Sequence, residues 1–464
     1  MIFERIKTPG IAHVAYIIAD SGRAAIVDPR RDVDDYLGML TAQDLSLELV
    51  IETHRQEDLE LGSAELRRIT GARIVSGEHP LFAHSDIRLK DGETLQLGGL
   101  TFKALHTPGH TPESMSYAVY LGEAPDLAWG VFTGDALFLG DAGRTDLPAE
   151  EETAANAGIL FDSIRNKIVS LGDQALVLPA HGSGTVCGGN VADRDHSTLG
   201  IEKISNAALI MDRDAFIRSR LQDRIPRPPY FRLMEEVNLE GGRPLATRPE
   251  SVRLLQPEDF ETACGDGIVI DTRLPEAFAG GHIPGSYSIW LSGLAMFGGW
   301  VAGRDTKVYL VVDGPEAQRS ATLYLARQGI DGVAGALAGG FEAWRNKGLP
   351  IEFAAAIAPR QLAEHGDCAV LDVREISEFE SGHIAGAVHT YVGHLEGRLG
   401  DLRQKLDPAR PVAVTCSVGH RASLGVSILK RHGYRQVFNL LGGMKAWRQL
   451  DLPVVHKETR GGAA

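Results

Sequence analysis

Cysteine is scarce in this sequence, and long apolar runs are absent. Four cysteines occur in 464 residues, and none lies near another along the chain. A disulfide framework needs paired cysteines at regular spacings, so we expect a protein of the reducing cytoplasm. The first residues, Met1-Ile2-Phe3-Glu4-Arg5, lack the apolar core of a secretory signal, and no stretch approaches the roughly 20 apolar residues that span a membrane. We therefore expect no membrane contact.

Basic charge is also in deficit. The chain has 47 Lys and Arg against 61 Asp and Glu, a formal net charge of -14. A nucleic-acid-binding protein needs a basic surface, so the composition argues against that class. The hydrophobic fraction of 44% is that of a globular protein. At about 150 residues per domain, the length predicts about three domains.

The C-terminal part of the chain contains an internal repeat. Asp271-Thr272-Arg273 returns 101 residues later as Asp372-Val373-Arg374, and Gly339-Gly340 returns 103 residues later as Gly442-Gly443. This period is too long for a solenoid and fits two duplicated domains. In each copy an apolar run, 308–312 or 412–415, precedes a helical pattern, 317–328 or 421–431. That alternation predicts a parallel sheet flanked by helices.

The N-terminal part carries histidine and aspartate at the ends of predicted strands. The strands are expected at 24–28, 48–54, 100–106, 115–121, 128–134 and 175–180. His54, His110 and Asp135 follow three of them, and loops at strand ends commonly carry the chemistry of a site. Two imidazoles and a carboxylate suit an octahedral ferrous ion with three open positions. The same set with two more histidines would suit zinc hydrolysis.

In order and spacing, these motifs resemble the metallo-β-lactamase superfamily, and most of all its persulfide dioxygenases. The resemblance rests on Thr53-His54, Pro108-Gly109-His110, Gly134-Asp135-Ala136-Leu137 with Gly143-Arg144-Thr145-Asp146, Pro179-Ala180-His181 and Asp28-Pro29. It implies an αββα sandwich and one Fe(II) held by His54, His110 and Asp135. The superfamily's first motif usually reads His-x-His-x-Asp-His, whereas here Gln56 and Leu59 replace the second and third histidines. This loss weakens a two-zinc hydrolase far more than an oxygenase.

Three further residues are assigned roles by this resemblance. Asp58 and His181 lie where ligands of a second metal usually lie. We expect them to orient the iron ligands or to hydrogen-bond bound water, with a purely structural role as the alternative. Arg144 could pair with a substrate carboxylate through its planar guanidinium, or it could brace its own loop.

The second copy of the repeat contains a cysteine loop. Cys416-Ser417-Val418-Gly419-His420-Arg421 lies between a predicted strand and a predicted helix. Backbone N–H groups and the helix dipole would stabilise a thiolate there, Gly419 would allow the turn, and Arg421 would add fixed positive charge. The loop resembles that of the rhodanese family, which implies that Cys416 accepts sulfane sulfur as a persulfide. The four residues between Cys416 and Arg421 argue against a dual-specificity phosphatase, whose loop is one residue longer.

The first copy of the repeat lacks the nucleophile. Aligning Arg319 with Arg421 places Gly314 opposite Cys416, and without a thiol no covalent relay can form. We expect this module to be a silent spacer or a docking surface.

Together these observations predict an α/β protein with three domains. They are a metallo-β-lactamase-like domain at 1–245, an inactive rhodanese-like domain with a parallel sheet at 250–352, and a rhodanese domain at 355–458. The expected function is oxidation of a persulfide of glutathione, coenzyme A or bacillithiol by O2 to sulfite, joined to sulfurtransferase activity. A zinc thioester hydrolase of the glyoxalase II type and a non-catalytic scaffold in front of the sulfurtransferase are the alternatives. The oligomeric state stays open, with a homodimer as one alternative.

Overall fold

The computed structural model describes residues 1–147, 149–364 and 366–456. The chain divides into two compact units. The N-terminal unit comprises Met1–Leu245 and Arg327–Gly329, and the C-terminal unit comprises Ala246–Ala326 and the residues from Ile330 onward. Among the described residues, no helix is both long and apolar enough to cross a lipid bilayer.

Two sheets form the centre of the N-terminal unit. The first has the strand order β1-β2-β3-β4-β5-β6, and the second has the order β11-β10-β9-β8-β7. The strands of the first sheet are β1 (Ile2–Lys7), β2 (Val14–Asp20), β3 (Arg23–Val27), β4 (Ser46–Ile51), β5 (Arg73–Gly77) and β6 (Ile87–Leu89). Those of the second are β7 (Thr94–Leu97), β8 (Leu100–His106), β9 (Met115–Leu121), β10 (Ala124–Gly134) and β11 (Leu176–Pro179).

Helices cover the outer faces of both sheets. They are α1 (Asp34–Ala42), α2 (Ser63–Thr70), α3 (Thr153–Ser163), α4 (Leu199–Ser205), α5 (Ala207–Ile210) and α6 (Arg213–Gln222). A further helix, α7 (Phe231–Val237), packs in a separate apolar cluster with Leu147. One apolar cluster lies between the sheets, a second joins the first sheet to α1 and α2, and a third joins the second sheet to α3 and its neighbours. A strand such as β2 is buried on both faces and therefore reads as a continuous apolar run. The unit is an αββα sandwich, as predicted.

The C-terminal unit contains two modules of the same topology. The cysteine-free module has a parallel sheet of order β12-β16-β15-β13-β14, and the cysteine module has one of order β17-β21-β20-β18-β19. The strands are β12 (Leu254–Leu255), β13 (Ile268–Asp271), β14 (Tyr287–Ser288), β15 (Val308–Val311), β16 (Val333–Leu337), β17 (Ala355–Ile357), β18 (Ala369–Asp372), β19 (Val388–His389), β20 (Val412–Thr415) and β21 (Val437–Leu440). The equal strand orders agree with the duplication seen in the sequence.

Helices flank both parallel sheets, as the alternating pattern predicts. In the cysteine-free module they are α8 (Pro257–Ala263), α9 (Pro275–Ala279), α10 (Leu291–Val301), α11 (Pro315–Arg327) and α12 (Gly340–Asn346). In the cysteine module they are α13 (Pro359–Glu364), α14 (Ile376–Glu380), α15 (Leu399–Leu402), α16 (His420–Arg431) and α17 (Gly443–Gln449). One apolar cluster runs through both modules, from Val252 and Leu310 to Val414 and Val437. The two modules therefore share a core.

Candidate metal centre and cysteine loop

Four loops of the N-terminal unit converge at the carboxyl ends of β4, β8, β10 and β11. They carry His54, His110, Asp135 and His181, all of which are buried. The Nε2 atoms of His54 and His110 lie 3.6 and 3.5 Å from Oδ2 of Asp135. The structure thus brings the three predicted iron ligands into one cluster.

A hydrogen-bond chain fixes the orientation of His54. Thr53 donates its hydroxyl proton to Oδ2 of Asp28 over 2.7 Å, and its Oγ1 lies 2.9 Å from Nδ1 of His54. Because that hydroxyl has a single proton, Oγ1 must accept from the Nδ1–H of His54. In the neutral ring, Nε2 is then the unprotonated nitrogen and faces Asp135, which is the form of imidazole that binds a metal.

The other two ligands are held in the same way. Nδ1 of His110 donates to the backbone carbonyl of Arg144 over 2.8 Å, so in the neutral ring Nε2 is the nitrogen with the lone pair. Oδ1 of Asp135 accepts from Nδ1 of His181 over 2.7 Å, which leaves Oδ2 for another partner. Each of the three side chains therefore has one atom engaged by the protein and one atom aimed into the cluster.

These inward atoms fit a cation. The Nε2 atoms of His54 and His110 and Oδ2 of Asp135 are buried without a hydrogen-bond partner among the described residues. Unpaired buried polar atoms are costly, so several that converge fit a cation as their common partner. Burial lowers the pKa of His54, but the neighbouring carboxylates outweigh it and raise that pKa to about 9. Without a metal, the cluster attracts positive charge.

Close packing of the loops depends on Gly134, at the end of β10. It has a φ of +51°, and a Cβ at this position would lie 2.6 Å from Oγ1 of Thr53. Only glycine combines this left-handed conformation with such a close approach. The glycine of the Gly-Asp motif thus lets Asp135 reach the loop that carries His54.

The position of a second metal is filled by hydrogen bonds. His181 bonds to Asp135 through Nδ1 and to Oδ2 of Asp58 through Nε2, the latter over 2.9 Å. Burial opposes a charge on His181, but Asp135 and Asp58 raise its pKa well above the usual value. The Sγ atom of Cys187 lies within 4.8 Å of ligand atoms of Asp58 and His181. Both nitrogens of His181 therefore face carboxylate oxygens, whereas a ligand of a second ion would need one of them free.

Sequence reasoning missed two residues of this centre. Glu57 is buried beside the two imidazoles, with Oε2 at 3.4 Å from Nε2 of His110 and 3.9 Å from Nε2 of His54. Burial raises the pKa of Glu57, but the imidazoles outweigh it and hold that pKa below the usual value. His13, considered an ordinary histidine from the sequence, packs its ring against His181 at 5.7 Å. Burial lowers the pKa of His13 to about 3, so it is neutral.

Arg144 is buried, and its guanidinium is engaged within the unit. It forms two bonds of 2.7 Å to the carboxylate of Asp146 and further bonds to the backbone carbonyls of Val186, Ile225 and Pro226. These contacts are those of a residue that braces its loop. The substrate-binding role of Arg144 stays a prediction.

The segment after Pro226 folds back over the metal centre. From the sequence, the polar stretch around Pro226, Pro228 and Pro229 is expected to be a linker that wraps back on this domain, and in the structure Phe231 and Met234 of α7 are fully buried. Asn238 donates to the backbone carbonyls of Gln56 and Leu59 over 2.7 and 2.9 Å. This segment therefore holds the loop that carries the first motif.

The cysteine loop lies between β20 and α16. Cys416 is buried, and its Sγ accepts a hydrogen bond of 3.0 Å from the backbone N–H of Gly419. Gly419 has a φ of +110° and is the N-cap of α16. The loop therefore presents the backbone N–H of Gly419, at the N-terminus of α16, to the sulfur.

Arg421 has a carboxylate partner that the sequence did not indicate. Its guanidinium forms bonds of 2.6 and 2.8 Å to Glu378 of α14, and Ser417 also donates to Glu378 over 2.6 Å. Burial raises the pKa of Glu378, but the bond to Arg421 outweighs it and lowers that pKa to about 2. The positive charge next to the loop is therefore balanced.

The cysteine-free module has a cavity next to Gly314, the position that aligns with Cys416 of the cysteine module. Its volume is about 700 Å³, and its lining includes Arg273, Asp313, Gly314, Gln318 and Phe341. No side chain in the loop 312–316 is a nucleophile of the kind that carries sulfur.

Comparison with known proteins agrees with both halves of this architecture. The family model for the rhodanese-like domain matches residues 256–347 and 358–450. The chain is 31% identical to hydroxyacylglutathione hydrolase GloC of Haemophilus influenzae over 212 residues, which are 41% of this chain and 89% of that protein. It is 26% identical to the mitochondrial persulfide dioxygenase ETHE1 of Bos taurus over 251 residues, 52% of this chain and 89% of that protein.

A solved structure shows a similar fold over a longer part of the chain. A metallo-β-lactamase from Staphylococcus aureus subsp. aureus COL is 27% identical, with a TM-score of 0.65, over 73% of this chain and 98% of that one. The chain therefore belongs to the metallo-β-lactamase superfamily and carries two rhodanese-like domains. Both the fold and the family predicted from the sequence are confirmed.

Proposed function

We propose that the N-terminal unit is a mononuclear ferrous persulfide dioxygenase, and that the cysteine module is a sulfurtransferase of the same sulfur metabolism. The observation that carries the first half is the set of three inward-facing, unpaired ligand atoms of His54, His110 and Asp135. Two imidazoles and one carboxylate are typical of ferrous oxygenases, because they leave open positions for substrate and oxygen. The loss of two histidines at Gln56 and Leu59 supports one metal rather than two.

The proposed reaction converts a low-molecular-weight persulfide, O2 and water into the thiol, sulfite and two protons. Bound iron would supply oxygen activation and a site for the persulfide sulfur. The chain's own part is to hold and orient this site. Thr53 and the carbonyl of Arg144 keep both ligand imidazoles in the metal-binding tautomer, and His181 fixes Oδ1 of Asp135.

In the second half, the Cys416 thiolate would attack the outer sulfur of a donor such as thiosulfate. The S–S bond of the donor breaks, sulfite leaves with the bonding electron pair, and Cys416 keeps the sulfur as a persulfide. A thiol such as glutathione then takes this sulfur, which regenerates the thiolate and forms the persulfide that the N-terminal unit oxidises. The N–H of Gly419 is placed to stabilise charge on Sγ throughout.

A zinc-dependent thioester hydrolase is the second candidate for the N-terminal unit. Its support is the 31% identity to a hydroxyacylglutathione hydrolase. Against it stand Gln56 and Leu59, and the engagement of both His181 nitrogens by carboxylates.

Metal analysis and oxygen uptake distinguish the two candidates. The chain is purified without oxygen, loaded with ferrous or zinc ion, and tested with persulfides of glutathione, coenzyme A and bacillithiol and with a glutathione thioester. We expect stoichiometric sulfite and O2 uptake with iron only.

His110→Ala should lower bound iron and O2 uptake together, because Nε2 of His110 faces the cluster.

The matched control is His106→Ala, since that half-buried histidine bonds to the carbonyl of Pro112 and not to the cluster. It should retain iron and activity. Thioester hydrolysis by the zinc form without O2 uptake by the iron form would favour the hydrolase. Unchanged metal content in His110→Ala would contradict the proposed ligand set.

A further inference from the structure

Glu57 lies in the metal centre without an ordinary structural partner. It follows β4 three residues after His54, and its side chain is 1% exposed. Its Oε2 atom has no hydrogen-bond partner among the described residues. The ionisable groups recorded within 4 Å of this atom are the two imidazoles, at 3.4 Å for His110 and 3.9 Å for His54.

Other buried glutamates of the same unit are paired with cations. Glu60 bonds to Arg243 through both carboxylate oxygens, and Glu113 faces Arg55 at 3.6 Å. Glu57 instead points at the two nitrogens whose lone pairs are directed into the cluster. A buried carboxylate oxygen without a hydrogen-bond donor is unfavourable unless a cation serves as its partner. His54, Glu57 and His110 also meet as a group whose ligand atoms lie within 4.8 Å of one another.

We propose that Glu57 is a fourth protein ligand of the metal ion held by His54, His110 and Asp135. The inference rests on that proposed metal set but not on the reaction, and it changes the chemistry of the site in two ways. Two carboxylates neutralise the charge of a divalent ion, which favours an ion that accepts oxygen as well as imidazole ligands. A six-coordinate ion would keep two positions open instead of three, enough for one sulfur and one oxygen molecule.

The position of Glu57 also accounts for the changed first motif. Gln56 replaces a histidine, and both polar atoms of its amide are buried without a partner among the described residues. In the proposal, the loop binds the single metal ion through the carboxylate of Glu57, the residue next to Gln56.

Metal binding measured without substrate tests the proposal. Wild type, Glu57→Gln and Glu57→Ala are titrated with ferrous ion without oxygen, and the inner-sphere waters of the manganese-loaded proteins are counted by ¹⁷O-water relaxation. We expect affinity to fall by at least about tenfold in both variants, as in changes at metal sites generally. Glu57→Ala should gain one exchangeable water, because water fills the vacated position.

Glu113→Gln is the matched control, as it neutralises a buried glutamate that faces Arg55 and neither imidazole. Circular dichroism confirms that each variant is folded. Glu57 variants with the affinity and water count of wild type would overturn the role of Glu57 alone. A folded wild type that binds no divalent ion would overturn both the ligand set and the proposed function.

Discussion

At the scale of single residues, the two candidate sites use the same device. In each, a hydrogen bond from the protein orients the reactive side chain. Nδ1 of His54 is bonded to Thr53 while its Nε2 faces the cluster, and Sγ of Cys416 accepts from the backbone N–H of Gly419. Such support costs little reorganisation when a substrate arrives.

Replacing Cys416 by serine should separate the two proposed activities. Serine keeps the shape of the loop but is a far poorer sulfur nucleophile. We expect thiosulfate sulfurtransfer to fall by about 10³-fold or more, the scale of loss when a covalent nucleophile is removed. Metal content and O2 uptake on added glutathione persulfide should stay at wild-type values, because the proposed metal ligands lie in the N-terminal unit.

Cys368→Ser is the control for this experiment, since Cys368 is half-buried and its Sγ is recorded only near a backbone carbonyl. After incubation with thiosulfate, mass spectrometry should find one added sulfur atom in wild type and Cys368→Ser and none in Cys416→Ser. Sulfur on the Cys416→Ser protein would show that another thiol carries it.

Sequence alone reached some of these residues and not others. His54, His110, Asp135 and Cys416 were found because each follows a strand within a recognisable motif. Glu57 was missed because its role depends on the path of the loop, which the motif pattern does not encode. Glu378 was missed for the same reason, since only the folded module brings α14 to the guanidinium of Arg421.

At the scale of elements, most of the strands that position the centre could be predicted. The predicted strands at 100–106 and 115–121 match β8 and β9. The predicted helix at 421–431 starts one residue later than α16 and ends at the same residue. The strands β1, β2, β5, β6 and β7 were not predicted. None of these five strands leads directly into one of the motifs on which the resemblance rests.

The cysteine-free module is more than a spacer, because it contacts the helix that presents the cysteine loop. The ring of Trp290, the N-cap of α10, lies 5.0 Å from the ring of His420, the first residue of α16. Ser288 of β14 bonds to Ser423 over 2.7 Å and to Ser427 over 3.1 Å. This module has no thiol in its loop, but its surface contacts α16 of the cysteine module.

Trp290→Ala should therefore impair sulfur transfer from a distance. Loss of the ring frees the start of α16, and small displacements of a reacting group can reduce rates by roughly tenfold to a hundredfold. We expect a lower kcat/KM for thiosulfate with unchanged ferrous binding. Trp290→Phe keeps a ring against His420 and should restore most of the activity. A folded Trp290→Ala protein with wild-type kcat/KM would show that this contact does not position the loop.

At the scale of the whole molecule, the chain combines two bodies with separate apolar cores. The clusters of the αββα sandwich draw on residues up to Val237, and a single cluster connects the cysteine-free module to the cysteine module. The cysteine-free and cysteine modules should therefore unfold together. The domain boundaries expected from sequence, at 245–250 and 352–355, remain predictions. Joining both proposed activities in one chain would raise the local concentration of the persulfide that one half makes and the other consumes.

Metal should stabilise one of these bodies and not the other, because all four proposed ligands lie in the N-terminal unit. Ferrous ion at a hundred times its Kd stabilises its host by about 2.7 kcal/mol, which corresponds to a rise in Tm of roughly 5–10 °C for a unit of this size.

Four of the five tryptophans, at 290, 300, 344 and 447, belong to the C-terminal unit, whereas Trp129 belongs to the N-terminal one. Tryptophan fluorescence should therefore follow mainly the C-terminal transition, with a midpoint that ferrous ion leaves in place, while calorimetry without oxygen records a second transition that moves upward. His110→Ala should abolish that movement. A metal-dependent shift of the fluorescence midpoint equal to the calorimetric one would mean that the two bodies unfold as one, and no shift in either signal would contradict the proposed metal centre.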